Sequence, residues 1–330
     1  MGSAKHRSWS HTRGNLADTC LRALYYQYFP WGDPDQNLAW FLRRAANPDS
    51  LAGTIVHSFI TTGLRQLLRV GEYPLGLDQP AIAEYEESLR VSQRIAESVR
   101  RGKRPPDEGT VLFHHLYGAE DPAAEERGRG VVKGALRAFE DSKALAFLKL
   151  TNFDRWRPLL TDTDDRPSFV AASDLGFSGA IGLRVYAAYD LALRWGDDLL
   201  IVDWKTGAKT PRSEVAAKRQ LAVYTLWGVA DGTPVERVRT LAYWLHDGEP
   251  WEPCAACPQD LRSVIETIEA HDAQERSMVT AVADKHGEIV KYEADRAAFK
   301  PQPERKKCGW CPYRSICSSG NLAVSPMMAA

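Results

Sequence analysis

One stretch of the chain, residues 184–205, constrains the fold more than any other. Its first half alternates between apolar and more polar side chains, with the period of a half-buried strand. The apolar positions are Val185, Ala187, Tyr189, Leu191, Leu193 and Trp195. A second apolar run at 199–202 follows the two-residue sequence Gly196-Asp197. Because Gly-Asp between two such runs is a turn signal, the stretch predicts an antiparallel β-hairpin.

The hairpin predicts which charged residues meet. If Gly196-Asp197 is the loop, Trp195 pairs with Asp198. Continuing this antiparallel pairing away from the loop places Asp190 opposite Asp203, with Cβ atoms about 5 Å apart. Like charges at opposed positions destabilise a sheet, so a positive partner is expected between them. A divalent cation is the simplest partner, and two carboxylates with open positions suit Mg²⁺ or Mn²⁺. Lys205 shares the face of Asp203 and could approach a metal-bound water or a phosphate oxygen.

The sequence Asp-Trp-Lys at 203–205 also has a simpler interpretation. An acid and a lysine two residues apart at a strand end often form a surface salt bridge. A slip of one residue in the hairpin register would place the two acids on opposite faces of the sheet. The metal-site prediction therefore depends on the predicted register.

Periodicity and capping signals predict the order of the remaining elements. Helices are expected at 16–29, at 49–69 with Asp49 or Ser50 as its cap, at about 80–101, and at 124–149, 211–231 and 258–276, with a further strand at 238–248. This order predicts an α/β fold, a mixed central sheet flanked by helices. We expect residues 1–69 to be N-terminal helices of the main domain, 70–170 a helical insertion or cap, and 171–330 the core with a cysteine-rich end.

Three motifs together carry a resemblance to a known family. They are Asp190 followed by Asp203-Trp204-Lys205, the sequence Gln-Leu-Ala-Val-Tyr with Gln220 and Tyr224, and Gly-Thr-Ile-Val-His with Gly53 and His57. In this order they resemble the PD-(D/E)XK nuclease superfamily and its RecB-like branch, over residues of about 16–60 and 180–320. The resemblance implies a restriction-endonuclease-like core and a metal-dependent nuclease.

The resemblance implies a role for each metal-site residue. Asp190 and Asp203 would ligate the catalytic ion, and the backbone carbonyl of Trp204 would add a ligand. His57 would complete the metal shell, and its nitrogen would favour Mn²⁺ over Mg²⁺. Lys205 would orient or deprotonate the attacking water, or stabilise the pentavalent phosphorus. A lone helical histidine is more often a core or surface residue, so the role of His57 depends on the motif.

Gln220 and Tyr224 lie four residues apart and therefore share a helix face. They could form hydrogen bonds near the Lys205 amine or contact the substrate phosphate. Tyr224 could instead be a simple core residue.

The cysteines carry a second resemblance. Cys20 lies near the start of the chain, and Cys308, Cys311 and Cys317 form C-x2-C-x5-C near its end. This split pattern resembles the iron–sulfur site of CRISPR-associated RecB-like exonucleases and AddAB-type nucleases. It implies a [4Fe–4S] cluster that fastens the two ends of the chain. Four thiolates also suit Zn²⁺, and inert thiols are a third interpretation.

Cys254 and Cys257 form an additional C-x2-C that is not part of this pattern. They could be a loop pair without a role, they could bind a second metal with a partner, or they could compete for the cluster.

Two basic clusters are candidates for contact with a nucleic-acid backbone. They comprise Arg100, Arg101, Lys103 and Arg104, and then Arg305, Lys306, Lys307 and Arg314. Such runs are most often solvated faces. Trp310 and Tyr313, beside the second cluster, could stack on unpaired bases or pack over the metal cluster.

Charge and hydropathy set the remaining expectations. The formal net charge of −1 neither indicates nor excludes a nucleic-acid partner. No apolar run approaches the roughly 20 residues of a membrane span, and the first residues lack the apolar core of a secretory signal. We therefore expect a cytoplasmic protein without a membrane partner.

The leading hypothesis is a metal-dependent deoxyribonuclease, exonuclease and/or endonuclease, acting on single-stranded DNA or DNA ends. The resemblance suggests DNA repair, CRISPR adaptation or phage defence, with a helicase, CRISPR or defence-complex protein as a partner. The sequence contains no GxxxxGK[ST] motif, so any motor would be a separate protein. The alternatives are a DNA-binding or scaffold subunit of such a complex and, more weakly, an RNA nuclease.

Overall fold

A computed structural model describes residues 7–106, 108–119, 121–151, 153, 157–159, 169–171, 183–248, 250–287 and 289–324. The helices are α1 (His11–Thr19), α2 (Leu21–Tyr28), α3 (Gln36–Leu42), α4 (Pro48–Val70), α5 (Asp78–Arg100), α6 (Phe113–Leu116), α7 (Pro122–Glu140), α8 (Lys143–Leu150), α9 (Pro211–Ala230), α10 (Pro258–Arg276), α11 (Arg305–Gly309) and α12 (Ser318–Val324). The strands are β1 (Arg7–Trp9), β2 (Ala45–Ala46), β3 (Val111–Leu112), β4 (Arg157–Leu159), β5 (Phe169–Ala171), β6 (Leu183–Tyr186), β7 (Leu191–Trp195), β8 (Asp198–Lys205), β9 (Val238–Trp244), β10 (Val279–Ala283) and β11 (Ile289–Ala294). The fold is mixed α/β, as the sequence predicts.

The chain forms two compact units, each built from separate segments. Unit 1 comprises Met1–Asn47, Ser88–Glu120 and Ile268–Ala330, and unit 2 comprises Pro48–Glu87 and Asp121–Thr267.

The sheet of unit 2 has the strand order β4-β7-β8-β9. Neighbours β4–β7 and β7–β8 are antiparallel, whereas β8 and β9 are parallel. A parallel pair requires a crossover connection, and α9 supplies it. The helix therefore returns over the sheet beside the end of β8.

The predicted hairpin register is confirmed, since Trp195 pairs with Asp198 and Leu191 with Val202. The predicted continuous strand over 184–195 is wrong. It divides into β6, which pairs with β5, and β7, which pairs with β8. Asp190 lies at the break, and its backbone N–H donates to the Val202 carbonyl at 3.2 Å.

Two helix boundaries in unit 2 differ from the prediction. The helix expected at 124–149 is divided into α7 and α8, because the Ser142 hydroxyl accepts a hydrogen bond from the Leu145 N–H and caps a new helix. The helix expected at 49–69 begins at Pro48, so Asp49 lies in its first turn and is not its cap. The helix expected at 211–231 corresponds to α9, which Thr210 caps through its side chain.

Aromatic side chains fill the core of unit 2 beneath the end of β8. Trp204 is fully buried and contacts the rings of Phe139, Tyr243 and Trp251. Because successive strand residues point to opposite faces, burial of Trp204 directs Asp203 and Lys205 to the other face. The core thereby fixes which face of the sheet carries the charged residues.

In unit 1, helices α1 and α2 replace the single helix expected at 16–29. They are separated by Cys20, whose extended backbone (φ −166°, ψ 113°) ends one helix and begins the next. A core of buried aromatic residues, including Tyr26, Phe299 and Tyr313, joins segments distant in sequence. The antiparallel hairpin of β10 and β11 has no counterpart among the sequence predictions. No helix among the described residues is long and apolar enough to cross a membrane.

Candidate functional site

Asp190 is held at the break before β7 by two hydrogen bonds to its side chain. One carboxylate oxygen accepts from the backbone N–H of Trp204 at 2.7 Å. The other lies 2.7 Å from Nδ1 of His57 on α4. These bonds place the carboxylate beside the end of β8, on the same edge as Asp203.

His57 lies against acidic neighbours. Burial lowers the pKa of His57, but the carboxylate of Asp190 and its hydrogen bond raise it, with a further contribution from Asp203, so the net pKa is above its ordinary value. An imidazole that donates from Nδ1 to a carboxylate keeps Nε2 as the nitrogen that can bind a metal.

Asp203 is a buried carboxylate, 4% exposed. Its Oδ1 accepts from the Tyr224 hydroxyl at 2.8 Å and from the Gln220 amide at 3.0 Å. Its Oδ2 forms an ion pair with Nζ of Lys205 at 2.5 Å but has no well-aligned hydrogen bond among the described residues. Burial raises the pKa of Asp203, the Asp190 carboxylate raises it as well, and Lys205 opposes both, so the net pKa is above its ordinary value.

Gln220 and Tyr224 connect α9 to these charges. The Gln220 amide oxygen accepts from Nζ of Lys205 at 2.6 Å, and its amide nitrogen contacts the Tyr224 hydroxyl at 2.5 Å. Burial and the nearby Asp203 and Asp190 carboxylates raise the pKa of Tyr224 well above its ordinary value. Tyr224 therefore stays protonated and remains a hydrogen-bond donor.

The structure thus brings together His57, Asp190, Asp203, Lys205, Gln220 and Tyr224, all six side chains that the sequence singled out for this site. Two further contacts of the site have no counterpart in the sequence predictions. The Tyr224 hydroxyl also lies against the carbonyl of Ala188, so this oxygen and Oδ1 of Asp203 share its one proton. A Cβ on Gly53 would lie 3.2 Å from Oγ1 of Thr206, so this glycine permits close packing of α4 on the loop after β8.

The residues present fit a divalent cation. The Asp190 carboxylate lies beside that of Asp203, burial disfavours the charge of Asp203, and one buried oxygen of Asp203 has no well-aligned donor among the described residues. Oxygen and imidazole ligands of this kind suit Mg²⁺ or Mn²⁺. The predicted contribution of the Trp204 carbonyl stays a prediction.

The four cysteines of the split pattern meet at one place in unit 1. Cys20, Cys308, Cys311 and Cys317 line a common cavity with Tyr26 and with residues 301–303. Burial raises the pKa of the Cys311 thiol to about 12, and the other three thiols raise it as well.

Cys254 and Cys257 lie elsewhere, in unit 2, and both are exposed. Cys254 exchanges two backbone hydrogen bonds with Thr240 of β9. The carbonyl of Cys257 accepts from the Leu261 N–H in the first turn of α10.

Several residues of the two predicted basic clusters have protein partners. Arg101 forms an exposed ion pair with Glu97 at 3.4 Å, and Lys307 forms one with Glu304 at 2.9 Å. The guanidinium of Arg314 lies 3.7 Å from the centre of the Tyr117 ring. Tyr313 is buried in the core of unit 1, whereas Trp310 is exposed.

Comparison with known proteins agrees with this geometry. Residues 8–318 match the sequence model of the PD-(D/E)XK nuclease superfamily. No curated protein matches the chain closely enough to count as a relative.

Proposed function

Since the chain belongs to the PD-(D/E)XK nuclease superfamily, a family of nucleases, we propose that it is a metal-dependent deoxyribonuclease of the RecB-like iron–sulfur type. Its substrate is single-stranded DNA or DNA ends. The observation that carries the proposal is the convergence of Asp190, Asp203 and Lys205 at the end of β8.

In this proposal Asp190, Asp203 and His57 would hold a Mg²⁺ or Mn²⁺ ion, with the carbonyl of Trp204 as a further ligand. Such an ion would polarise the phosphate and lower the pKa of a bound water. Asp190 is oriented by the Trp204 N–H and His57, so its carboxylate cannot rotate away from the site. Tyr224 and Gln220 do the same for Asp203.

Lys205 supplies the amine of the candidate site. Its Nζ is held between the Asp203 carboxylate and the Gln220 amide oxygen, which fix its position. The amine orients the attacking water and stabilises the negative charge that develops on the phosphoryl oxygens. Gln220 is a positioning residue, because it acts through Lys205 and Asp203.

The test is degradation of labelled single-stranded and double-stranded DNA with Mn²⁺ or Mg²⁺, comparing the wild type with Lys205→Ala. We expect cleavage that needs the metal and is lost in the variant. Matched RNA substrates in the same assay test the deoxyribonuclease assignment. DNA retained in a gel-shift assay without cleavage by either protein would support a DNA-binding subunit of a larger helicase–nuclease or defence complex instead.

The cysteine cavity supports the iron–sulfur part of the proposal. Four thiols line one cavity, and four cysteine thiolates are the ligand set of a [4Fe–4S] cluster. The cluster would join the first helices to the last and contribute folding free energy.

Anaerobically purified protein should show a visible sulfur-to-iron charge-transfer band, with iron and sulfide in equal amounts. Cys308→Ser should lose both. A colourless protein that contains zinc and no iron contradicts this assignment but leaves the nuclease proposal intact.

A further inference from the structure

A stripe of positive charge runs along the helix that carries Gln220. Arg212, Lys218 and Arg219 are exposed on α9. None of the three forms an ion pair with a residue in the part of the chain that the structure describes. We call these three residues the α9 basic stripe.

The stripe lies on the solvent side of α9, the helix that carries Gln220 into the candidate active site. Arg212 and Arg219 are seven residues apart, so they share one face of the helix, and Lys218 lies about 100° further round the helix from Arg219. Val215 between them is 56% exposed, whereas Ala217 is buried against the sheet. Arg219 directly precedes Gln220. At 1.5 Å per residue, the stripe extends about 12 Å from Gln220 to Arg212.

Little negative charge offsets the stripe on its own helix. Glu214 is the acidic residue of the first turn, and it already faces Lys209 at 3.7 Å. Arg212 also lies in the first turn of α9, where the helix dipole is positive. The combined charge therefore favours a polyanion along this face.

The candidate active site cannot by itself attract a phosphate chain. Asp190 and Asp203 repel phosphate in the absence of a metal. The one lysine of the site, Lys205, is engaged by Asp203 and Gln220. Attraction for a strand must therefore come from cations beside the site, and the stripe adjoins it along the chain.

We propose that the α9 basic stripe binds the phosphate backbone of a DNA strand and leads the strand to the candidate active site. The inference rests on the proposed function, because it names how the same site holds its polymeric substrate. At about 3.4 Å per nucleotide of stacked strand, the stripe spans three to four phosphates. The binding is independent of sequence, since it uses charges and no base contacts.

The test replaces the three cations by glutamine in one variant, Arg212→Gln/Lys218→Gln/Arg219→Gln. Glutamine keeps a long side chain and a good helix propensity. The matched control is Arg127→Gln/Lys133→Gln/Lys143→Gln, which removes three exposed cations from α7 and α8. Circular dichroism and thermal melting establish that each variant is folded.

Binding of a fluorescent single-stranded oligonucleotide is measured by anisotropy in EDTA over a series of salt concentrations. Each phosphate contact on a single strand contributes about 0.7 to the slope of log K against log salt, so the stripe variant should lose about 2 units of slope. The control variant should keep the slope of the wild type.

Equal slopes for the stripe variant and the wild type would overturn the inference, as would an equal loss in the control. This result is separate from the nuclease test. If the wild type cleaves DNA with Mn²⁺ and the stripe variant keeps the wild-type slope, the nuclease proposal stands and the stripe proposal is rejected. If the stripe variant loses slope but the wild type does not cleave DNA, the stripe proposal stands and the nuclease proposal is rejected.

Discussion

At the residue scale, Asp203 owes its environment to several side chains with opposing effects. Burial and the Asp190 carboxylate disfavour its charge, while Lys205 favours it and Tyr224 donates a hydrogen bond to it. A buried charge of this kind is tolerated only when its partners are in place. The contribution of each partner to the free energy of unfolding can therefore be measured by replacing that partner.

Tyr224→Phe removes the hydroxyl whose one proton is shared by Oδ1 of Asp203 and the Ala188 carbonyl. A hydrogen bond to a charged group contributes about 1.5–3 kcal/mol, so the free energy of unfolding should fall by about this amount. Urea denaturation measures the change. The same substitution made in an Asp203→Asn background isolates the pair by a double-mutant cycle. A coupling free energy near zero would show that the tyrosine does not stabilise the carboxylate.

Addition of Mn²⁺ should raise the melting temperature of the wild type, because an ion that binds only the folded state stabilises it. At 100 times the dissociation constant, the gain is about 2.7 kcal/mol. Asp190→Asn and Asp203→Asn should each lose most of this shift, since each removes a ligand charge. An undiminished shift in both variants would place the ion elsewhere. Differential scanning fluorimetry provides the measurement without any assay of activity.

At the element scale, two of the three glycines of helix α7, Gly128 and Gly130, lie in opposite surroundings. A Cβ on Gly128 would lie within 2.1 Å of the Tyr85 hydroxyl and 3.1 Å of the Pro48 carbonyl. A Cβ on Gly130 would meet nothing within 4 Å. The first glycine is thus required for the close approach of a tyrosine and a helix start, and the second is not.

Gly128→Ala should lower the free energy of unfolding by about 1–3 kcal/mol, because the added methyl group overpacks the contact. Gly130→Ala in the same helix should raise it by about 0.5–1 kcal/mol, because alanine has the better helix propensity. Chemical denaturation of both variants gives the comparison. Stabilisation by both substitutions would show that the Tyr85 contact can yield without cost.

At the scale of the whole molecule, buried tyrosines predict loss of stability in alkaline solution. Burial is the first cause of a raised pKa in Tyr25, Tyr26, Tyr28, Tyr73, Tyr85, Tyr117, Tyr224 and Tyr313. For Tyr85 the pKa rises to about 12. In the unfolded chain these groups titrate near pH 10.

The direction of the change in stability with pH follows from proton binding. Between the unfolded and folded pKa values the folded chain holds more protons, so stability is complete below about pH 10 and declines as the pH rises towards 12 and beyond. Tyrosinate absorbance should increase together with loss of the circular dichroism of the folded chain. Tyrosinate absorbance that develops near pH 10 while the fold persists would contradict the assignment. The chain in denaturant is the reference titration.

The sequence predicted those parts of the fold that depend on local patterns. The β7–β8 register followed from one turn signal, and the spacing of Gln220 and Tyr224 followed from the helical period. The predictions failed where a few residues interrupt a periodic run. Cys20 divides one expected helix, Asp141 and Ser142 divide another, and residues 187–190 interrupt the expected strand. Tertiary partners favour these interruptions, and periodicity does not contain them.

Most of the site was predictable, because all of its side chains except His57 lie on one hairpin and one crossover helix. The β10–β11 hairpin was not predicted, and none of the residues in its two strands is fully buried. The approach of Gly53 to Thr206 depends on the packing of α4, which joins the site from more than a hundred residues earlier in the chain. Contacts of such long sequence separation leave no local signal.

Unit 1 is built from three separate segments of the chain, and this limits the order in which the two units can fold. Unit 2 ends at Thr267, whereas unit 1 needs segments from both sides of it. Since ribosomes synthesise proteins from the N-terminus, every residue of unit 2 exists before the last segment of unit 1 is made. Helix α1 and Cys20 therefore stay without their partners from residues 268–324, and accessible to chaperones and thiol reagents, until that segment has been synthesised.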